Sequence, residues 1–173
     1  MLHFFIPRII LLFCFLFSTS HAKEPIMALL LSIPANDIQT FSIAQNSFIC
    51  EPYGVVSIEA LYRDTITNDV CKESIERLYI KQPYLRYFTS DRFYIKQLYH
   101  LEFKEEKCII YAQGQKTLSE LLLRNGLAFV KPFFNNPEFY HSFINAQNNA
   151  KMERLGMWSE ELIINCMASI YKE

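Results

Sequence analysis

The strongest constraint on the fold is a helix signal in the carboxy-terminal half of the chain. The stretch Thr117-Leu118-Ser119-Glu120 has the spacing of a capping box, in which a threonine and a glutamate three residues later satisfy each other's backbone amides. The apolar run "LLLR" follows, and Asn125-Gly126 offers a residue that readily adopts the left-handed conformation common after a last helical turn. The sequence therefore predicts a short helix that begins near residue 117 and ends at Gly126.

A second helix signal follows within a few residues. Asn136 is a suitable N-cap, and Pro137 suits the first helical position, where proline loses no hydrogen bond. The apolar residues of the next stretch recur on one stripe of a helix: Phe139, Phe143, Ala146, Ala150 and Leu155. We expect Gly156 to stop this helix, and Met157 with Trp158, the chain's only tryptophan, to fold back against its last turn and close the core.

The amino-terminal half of the chain has the pattern of strands, one helix and a hairpin. Apolar and β-branched stretches predict strands, and the turn residues Pro34-Ala35-Asn36-Asp37 separate the first two. A helix follows, with Asn68 or Asp69 as its cap. The predicted elements are strands at 26–33, 38–45 and 53–62, a helix within 67–80, and hairpin strands at 93–103 and 108–114.

Residues 1–22 have the features of a secretion signal. One early Arg8 precedes an apolar run from Ile9 to Phe17, and Ser20-His21-Ala22 provides a small-residue exit. The apolar run is short for a bilayer, so we expect cleavage after Ala22 and no permanent membrane span; an uncleaved anchor is the alternative. The remaining residues, 23–173, suit one compact domain.

The net charge of the chain argues against a general nucleic-acid binder. The chain holds 17 basic and 18 acidic residues, and only Arg8 is lost with the signal, which leaves a net charge of −2 with histidine neutral. A general nucleic-acid binder normally has a marked basic excess.

The cysteines outside the signal are Cys50, Cys71, Cys108 and Cys166. In an oxidising compartment they predict at least one disulfide; three pairings are open, and unpaired thiols are the alternative.

Two stretches of the carboxy-terminal half are similar to the staphylococcal-nuclease family, also called thermonuclease-like domains. They are "IIYAQGQKTLSELLLRNGLAFV" and "AQNNAKMERLGMWSEE". The shared pattern is a strand ending in Tyr-Ala-x-Gly, a helix ending in Gly-Leu-Ala, and a final helix ending in Leu-Gly-x-Trp-Ser. The resemblance implies an α+β fold, namely an OB-fold five-stranded barrel with three helices. Gly126, Gly156 and Trp158 then mark the fold and not the chemistry.

The resemblance also implies where a nuclease site would lie. Family nucleases use calcium, a glutamate that activates water, and two arginines that neutralise phosphate. Gly54 and Glu105 stand at the two arginine positions, and Tyr62 stands at the glutamate position. Glycine has no side chain for phosphate, glutamate repels it, and tyrosine has no carboxylate to act as a base near neutral pH. We therefore expect no catalytic residues of the family type.

Some neighbouring residues are possible remnants of the family site. Glu59 stands at the position of a calcium aspartate, and Asn36 stands at a second, with Asp37 one residue away. We expect calcium only if the chain is a nuclease. Phe133 and Phe134 fall where the family places rings that contact substrate. They could stack on a base, although packing in the core or at an interface is the commoner role for adjacent phenylalanines.

Three functions compete on these observations. An active calcium nuclease would need Arg63, Arg86 or Arg92 to reach the groove from outside the family positions. A non-hydrolytic binder of single-stranded nucleic acid would keep the groove but faces the acidic balance. We favour a catalytically degenerate nuclease fold, periplasmic or secreted, that binds another envelope protein.

One aromatic segment supports the protein-interaction reading. Residues 84–100, "YLRYFTSDRFYIKQLYH", mix aromatic and basic side chains, which are residue types enriched at protein interfaces. The aromatic residues in question are Tyr84, Tyr87, Phe88, Phe93, Tyr94 and Tyr99. The alternative is that half of these rings fill the outer face of the barrel.

Overall fold

A five-stranded antiparallel sheet lies at the centre of the structure, a computed structural model that describes residues 25–112, 114 and 116–171. The strand order is β3-β2-β1-β5-β6. The strands are β1 Ile26–Ala35, β2 Ile38–Ile43, β3 Asn46–Cys50, β5 Leu98–Lys104 and β6 Lys107–Ile110. A second, two-stranded sheet pairs β4 Val55–Ser57 with β7 Ala128–Val130. Inward-facing side chains such as Leu30, Phe41 and Leu101 are fully buried and form the core.

The sheet closes on itself beyond its two outer strands, β3 and β6. After β3 the chain runs beside β6, where the Cys108 amide donates to the Glu51 carbonyl at 2.8 Å and the Tyr53 amide donates to the Cys108 carbonyl at 2.9 Å. A disulfide between Cys50 and Cys108 joins the same two strands. This closure confirms the expected α+β architecture built on a five-stranded barrel.

Five α-helices surround the barrel in the described residues. They are α1 Ile58–Arg63, α2 Asp69–Lys81, α3 Leu118–Arg124, α4 Tyr140–Glu153 and α5 Glu161–Ile170. The side chain of Asn68 accepts from the Cys71 amide, so Asn68 and not Asp69 caps α2. Thr117 accepts from the Glu120 amide, as the capping-box prediction required. The helices α2, α3 and α4 correspond to the three predicted ones, and α1 and α5 are additional.

The strand predicted at 53–62 is wrong beyond Ser57. Within it β4 covers only Val55–Ser57, and the Ser57 hydroxyl accepts from the Ala60 amide and caps α1, which begins at Ile58. The strand predicted from residue 93 begins only at Leu98, because residues 93–97 form turns. Strand β3 was not predicted.

The helix α4 begins later and ends earlier than its sequence signals predicted. Asn136 organises the turn before the helix, since its side chain accepts from the Glu138 amide at 3.0 Å, and α4 itself starts at Tyr140. At the other end, Arg154 adopts the left-handed conformation with φ 52° and terminates the helix. The prediction that Gly156 stops α4 is therefore wrong.

Gly126 and Gly156 instead allow two backbones to touch. A Cβ atom on Gly126 would lie 2.0 Å from the Leu155 carbonyl oxygen, and one on Gly156 would lie 2.4 Å from the Gly126 carbonyl oxygen. The Met157 amide donates to the Gly126 carbonyl at 2.9 Å. The two glycines thus fix the end of α3 against the segment that follows α4.

Trp158 contacts the last turns of α4, as expected, but it does not close the core alone. The centroid of its ring lies 4.7 Å from the Lys151 ammonium nitrogen, and the Trp158 side chain is only half-buried. Its neighbour Met157 is completely buried. The core-closing role therefore falls mainly on Met157.

The carboxy-terminal helix α5 is tied to the barrel-packing helices by a second disulfide. Cys166 on α5 bonds to Cys71 on α2, so the four cysteines form two disulfides with defined pairing. No helix in the described part of the chain has the length and apolarity needed to cross a membrane. The predicted signal, residues 1–22, lies outside the described residues.

Candidate functional site

The residues predicted as remnants of a metal site meet at the turn between β1 and β2. Asn36 and Asp37 form this two-residue turn, and both are almost completely buried, at 2% and 4% exposure. Glu59 comes from the first turn of α1, which packs over the turn. The structure therefore brings Asn36, Asp37 and Glu59 together, although they are up to 23 residues apart.

Hydrogen-bond donors surround the Glu59 carboxylate. The Asn36 backbone amide donates to Oε2 at 2.7 Å, and the Asn36 side-chain Nδ2 donates to Oε1 at 2.8 Å. The Tyr79 hydroxyl, which reaches in from α2, donates to Oε1 at 3.0 Å. Both carboxylate oxygens thus face N–H or O–H groups of the protein itself.

The orientation of the Asn36 amide follows from its remaining contacts. Its Oδ1 accepts from the Thr89 amide at 2.8 Å, and its Nδ2 also donates to the Leu85 carbonyl at 2.8 Å. If the oxygen and nitrogen were exchanged, the oxygen would face the Glu59 and Leu85 oxygens, which are acceptors, and the nitrogen would face the Thr89 amide, which is a donor. The Nδ2 group therefore points at Glu59, where the resemblance places a cation.

Asp37 is held by partners from α1 and its cap. The Ser57 hydroxyl donates to one of its oxygens, and the Arg63 guanidinium makes a two-point contact with N–O distances of 2.7 and 3.1 Å. Arg63 was one of three arginines named as alternatives that could supply a nuclease groove from outside the family positions, and it reaches the site. It neutralises Asp37 there, because a bidentate arginine–carboxylate pair is a strong, oriented interaction.

Burial shapes the protonation of this cluster. Burial, followed by the charge of Asp37, raises the pKa of Glu59 above its ordinary value of 4.5. Burial and the neighbouring Glu59 also raise the pKa of Tyr79, which keeps that phenol protonated as a hydrogen-bond donor. The protein thus stabilises a buried acid by donating to it from neutral groups.

This arrangement does not fit calcium. Calcium takes six to eight oxygen ligands, with carboxylates directed at the ion. Here an amide nitrogen occupies one ligand position, Glu59 faces donors, and Asp37 faces Arg63. In the residues that the structure describes, no group of three or more histidine, cysteine, aspartate or glutamate side chains could hold a metal ion. We therefore derive no chemical step through a cation.

Two cavities adjoin the turn, and the degenerate family positions divide between them. The α1 cavity, of about 370 Å³, is lined by Asn36, Glu59 and Tyr62 among others. The β4 cleft, of about 470 Å³, is lined by Asp37, Gly54 and Glu105 among others. The structure therefore does not bring Tyr62 together with Gly54 and Glu105 in one cavity.

The guanidinium groups of the other two arginines of the nuclease alternative bind groups other than Asp37. Arg86 lines the α1 cavity, but it donates to Glu76 at 2.6 Å and lies 4.8 Å from the Tyr79 ring centroid. Arg92 lies over the Phe88 ring, 3.7 Å from its centroid, and donates to the Phe88 carbonyl. Neither guanidinium lines the β4 cleft.

The two predicted stacking residues have different environments. Phe134 is half-buried and stacks on Phe143 with ring centroids 5.5 Å apart, so it packs on the core. Its ring also excludes a side chain at position 54, since a Cβ on Gly54 would lie 2.5 Å from it. Phe133 is 87% exposed at the mouth of the β4 cleft, with a left-handed backbone at φ 59°.

Sequence reasoning found the acidic and amide members of the cluster but missed their partners. Tyr79 carried a weak signal, since it shares the buried face of α2 with Leu78. Ser57 carried another, as a capping residue three positions before Ala60. Thr89 and Leu85 carried none, because they lie about 50 residues from Asn36, in the segment between α2 and β5.

Comparison with known proteins agrees with the motifs of the carboxy-terminal half. A family model described as staphylococcal nuclease homologue matches residues 36–160, which include the turn, α1, β4 and the paired glycines. A search of curated proteins found no match. The chain belongs to the family of staphylococcal nuclease homologues.

Proposed function

We propose that this chain is an exported, catalytically degenerate member of its family that serves as a protein-interaction module in the cell envelope. The observation that carries the proposal is the ring of donors around Glu59. Asn36 and Tyr79 donate to it from where a cation would have to bind. A carboxylate satisfied in this way is a structural acceptor and not a metal ligand.

The remaining family positions point in the same direction. Phosphodiester cleavage needs positive groups that stabilise the charge developing on the phosphate. Gly54 contributes no charge, and Glu105 contributes the opposite charge at the β4 cleft. Tyr62, 39% exposed, offers no carboxylate to activate water. None of these three family positions therefore carries the group that hydrolysis would use there.

Support for an interaction role comes from the segment of residues 84–98, which ends at the first residue of β5. Its side chains include large apolar groups that are more than half exposed, namely Tyr84, Tyr87, Tyr94, Ile95 and Leu98. Large exposed apolar residues on a monomer commonly mark contact surfaces. The buried rings Phe88 and Phe93 anchor the same segment to the core, so the exposed groups are presented from a fixed base.

Support for export comes from the leader and the cysteines. Two disulfides persist in an oxidising compartment and would be rare in a reducing cytosol. The expected mature chain begins after Ala22 and is periplasmic or secreted. Expression of the full chain in a bacterium, followed by fractionation and mass measurement, tests this: a cytosolic, uncleaved product would contradict it.

A second candidate is non-hydrolytic binding of single-stranded nucleic acid. The exposed Phe133 ring and the neighbouring Lys131 favour it, because base stacking and phosphate contacts use such groups. Glu105 in the same cleft opposes it. We expect only weak DNA binding that disappears with added salt.

The direct test is cleavage of single-stranded DNA and RNA with calcium or with a chelator. The protein and a Glu59→Ala variant are purified identically beside a mock preparation. We expect both proteins to match the mock preparation, since loss of one charge-stabilising group commonly lowers the rate by about 10² to 10³. Chelator-sensitive cleavage by the protein but not by the variant would establish an active site and overturn the proposal.

A further inference from the structure

The β4 cleft has features that suit one class of partner. We propose that it binds an extended peptide segment of a partner protein, which pairs with the free edge of β4 and places a large apolar side chain and a basic side chain in the cleft. The inference rests on the proposed function, which it deepens by naming the recognised chemistry.

In the part of the chain that the structure describes, one edge of β4 has no strand beside it. The Lys131 amide donates to the Gly54 carbonyl at 3.0 Å, and the Ile58 amide donates to the Leu127 carbonyl at 2.9 Å. Because antiparallel pairing alternates, Val55 and Ser57 direct their amides away from β7. Among the described strands, β7 is the sole neighbour of β4, and Val55 and Ser57 line the cleft. An unpaired edge of this kind is a template for an added strand.

Aromatic rings form a wall of the cleft that this edge lines. Phe133 lies at the mouth with most of its surface exposed, and Phe134 and Tyr53 meet edge to face with centroids 5.4 Å apart. An exposed phenylalanine in a left-handed backbone is costly, and such strain occurs at binding sites more often than elsewhere. Tyr171, at the end of α5 and outside the region that matches the family, also lines the cleft.

The charges of the cleft are mostly paired within the protein. Asp37 binds Arg63, and Glu51 binds Lys107. The two remaining charged groups in the lining, Glu105 and Lys131, take part in no salt bridge with a described residue. Glu105 lies beside the aromatic wall, with its carboxylate 3.5 Å from the Tyr53 hydroxyl. A basic side chain next to an apolar one would complement it.

A peptide fits these features better than a nucleic acid does. A peptide backbone can satisfy the Val55 and Ser57 amides and donate to the Val55 carbonyl, whereas a phosphodiester offers no donors. A phosphate would also meet the unpaired carboxylate of Glu105. Lys131 can donate to a carbonyl oxygen of the added peptide. Nucleic-acid binding in the cleft is the competing outcome of the test.

The experiment uses the disulfide-bonded mature chain and a synthetic array of acetylated, amidated octapeptides. Alternating serine and threonine keeps the peptides extended, and two positions separated by one residue carry every pairing of amino acids. We expect the bound members to pair an aromatic or large aliphatic residue with lysine or arginine. Glu105→Lys should shift the preference from basic to acidic residues at the charged position.

Two further variants separate cleft binding from general stickiness. Phe133→Ala should weaken the selected peptide about tenfold or more, as expected for an aromatic anchor. Ile80→Ala removes a comparably exposed apolar side chain that lies outside the cleft, and it should leave the affinity unchanged. Backbone pairing is read separately, as slowed hydrogen exchange of the Val55 and Ser57 amides on binding.

Each outcome decides the inference. Absence of any bound peptide, selection of acidic residues by the unaltered protein, or equal loss in Phe133→Ala and Ile80→Ala would overturn it. Displacement of the peptide by an oligothymidylate at physiological salt would identify the cleft as a nucleic-acid site instead. Failure here with no nuclease activity leaves the proposed function standing, whereas calcium-dependent cleavage defeats that function whatever the array shows.

Discussion

Replacing Asn36 with alanine removes the side chain that joins the β1–β2 turn to α1 and to the segment before β5. The side chain makes three hydrogen bonds of 2.8 Å, to the Glu59 carboxylate, the Leu85 carbonyl and the Thr89 amide. A neutral bond contributes about 1 kcal/mol net and one to a charged group about 1.5 to 3 kcal/mol. We therefore expect Asn36→Ala to lower the free energy of unfolding by about 3 to 5 kcal/mol.

The measurement is equilibrium unfolding in urea with both disulfides intact, followed by fluorescence and circular dichroism. Asn135→Ala serves as the matched control, because Asn135 is exposed on the surface, and its effect should stay within about 0.5 kcal/mol. An Asn36→Ala loss below about 1 kcal/mol, with an unchanged denaturant slope, would refute the reasoning. It would mean that the donors around Glu59 do not hold the turn in place.

Two other predictions concern the protonation of the cluster and the closure of the core. The pKa of Glu59 in the folded chain exceeds its value near 4.5 in the unfolded chain, so the folded chain binds protons more tightly. The contribution of Glu59 to the free energy of unfolding is therefore full below pH 4.5 and declines as the pH rises through the raised pKa. The unfolding free energy of the protein minus that of Glu59→Gln should fall from pH 4 to 7 in urea titrations, and a rise would contradict the assigned shift. Met157→Ala should cost about 2 to 5 kcal/mol, more than Trp158→Ala, since Met157 is the fully buried one; the reverse order by thermal unfolding would count against the described packing.

The parts of the fold that sequence predicted well are those with short-range signals. The caps of α2 and α3 depend on residues three positions apart, so Asn68 and Thr117 could be identified without tertiary information. The start of α1 could not be identified from the sequence alone. Apolar Val55, Val56 and Ile58 suit a strand equally well, and the helix begins where Ser57 is held by both Ala60 and the distant Asp37.

The candidate site shows the same division. Motif alignment placed Asn36, Asp37 and Glu59 near one another, and the structure agrees. The residues that donate hydrogen bonds to them come from elsewhere in the chain. Tyr79 comes from α2, and Thr89 comes from an irregular segment whose position depends on the packed core. A residue's identity at a family position indicates what it can do, whereas its hydrogen-bond partners decide what it does.

The central claim is that protein donors fill the place of a cation at Glu59, and calcium titration of the protein by calorimetry tests it most directly. We expect no heat of binding in the protein and no change in its melting temperature between calcium and chelator. Calcium at a hundred times its dissociation constant would instead stabilise a binding protein by about 2.7 kcal/mol. A single saturable calcium site that disappears in Glu59→Gln would contradict the account.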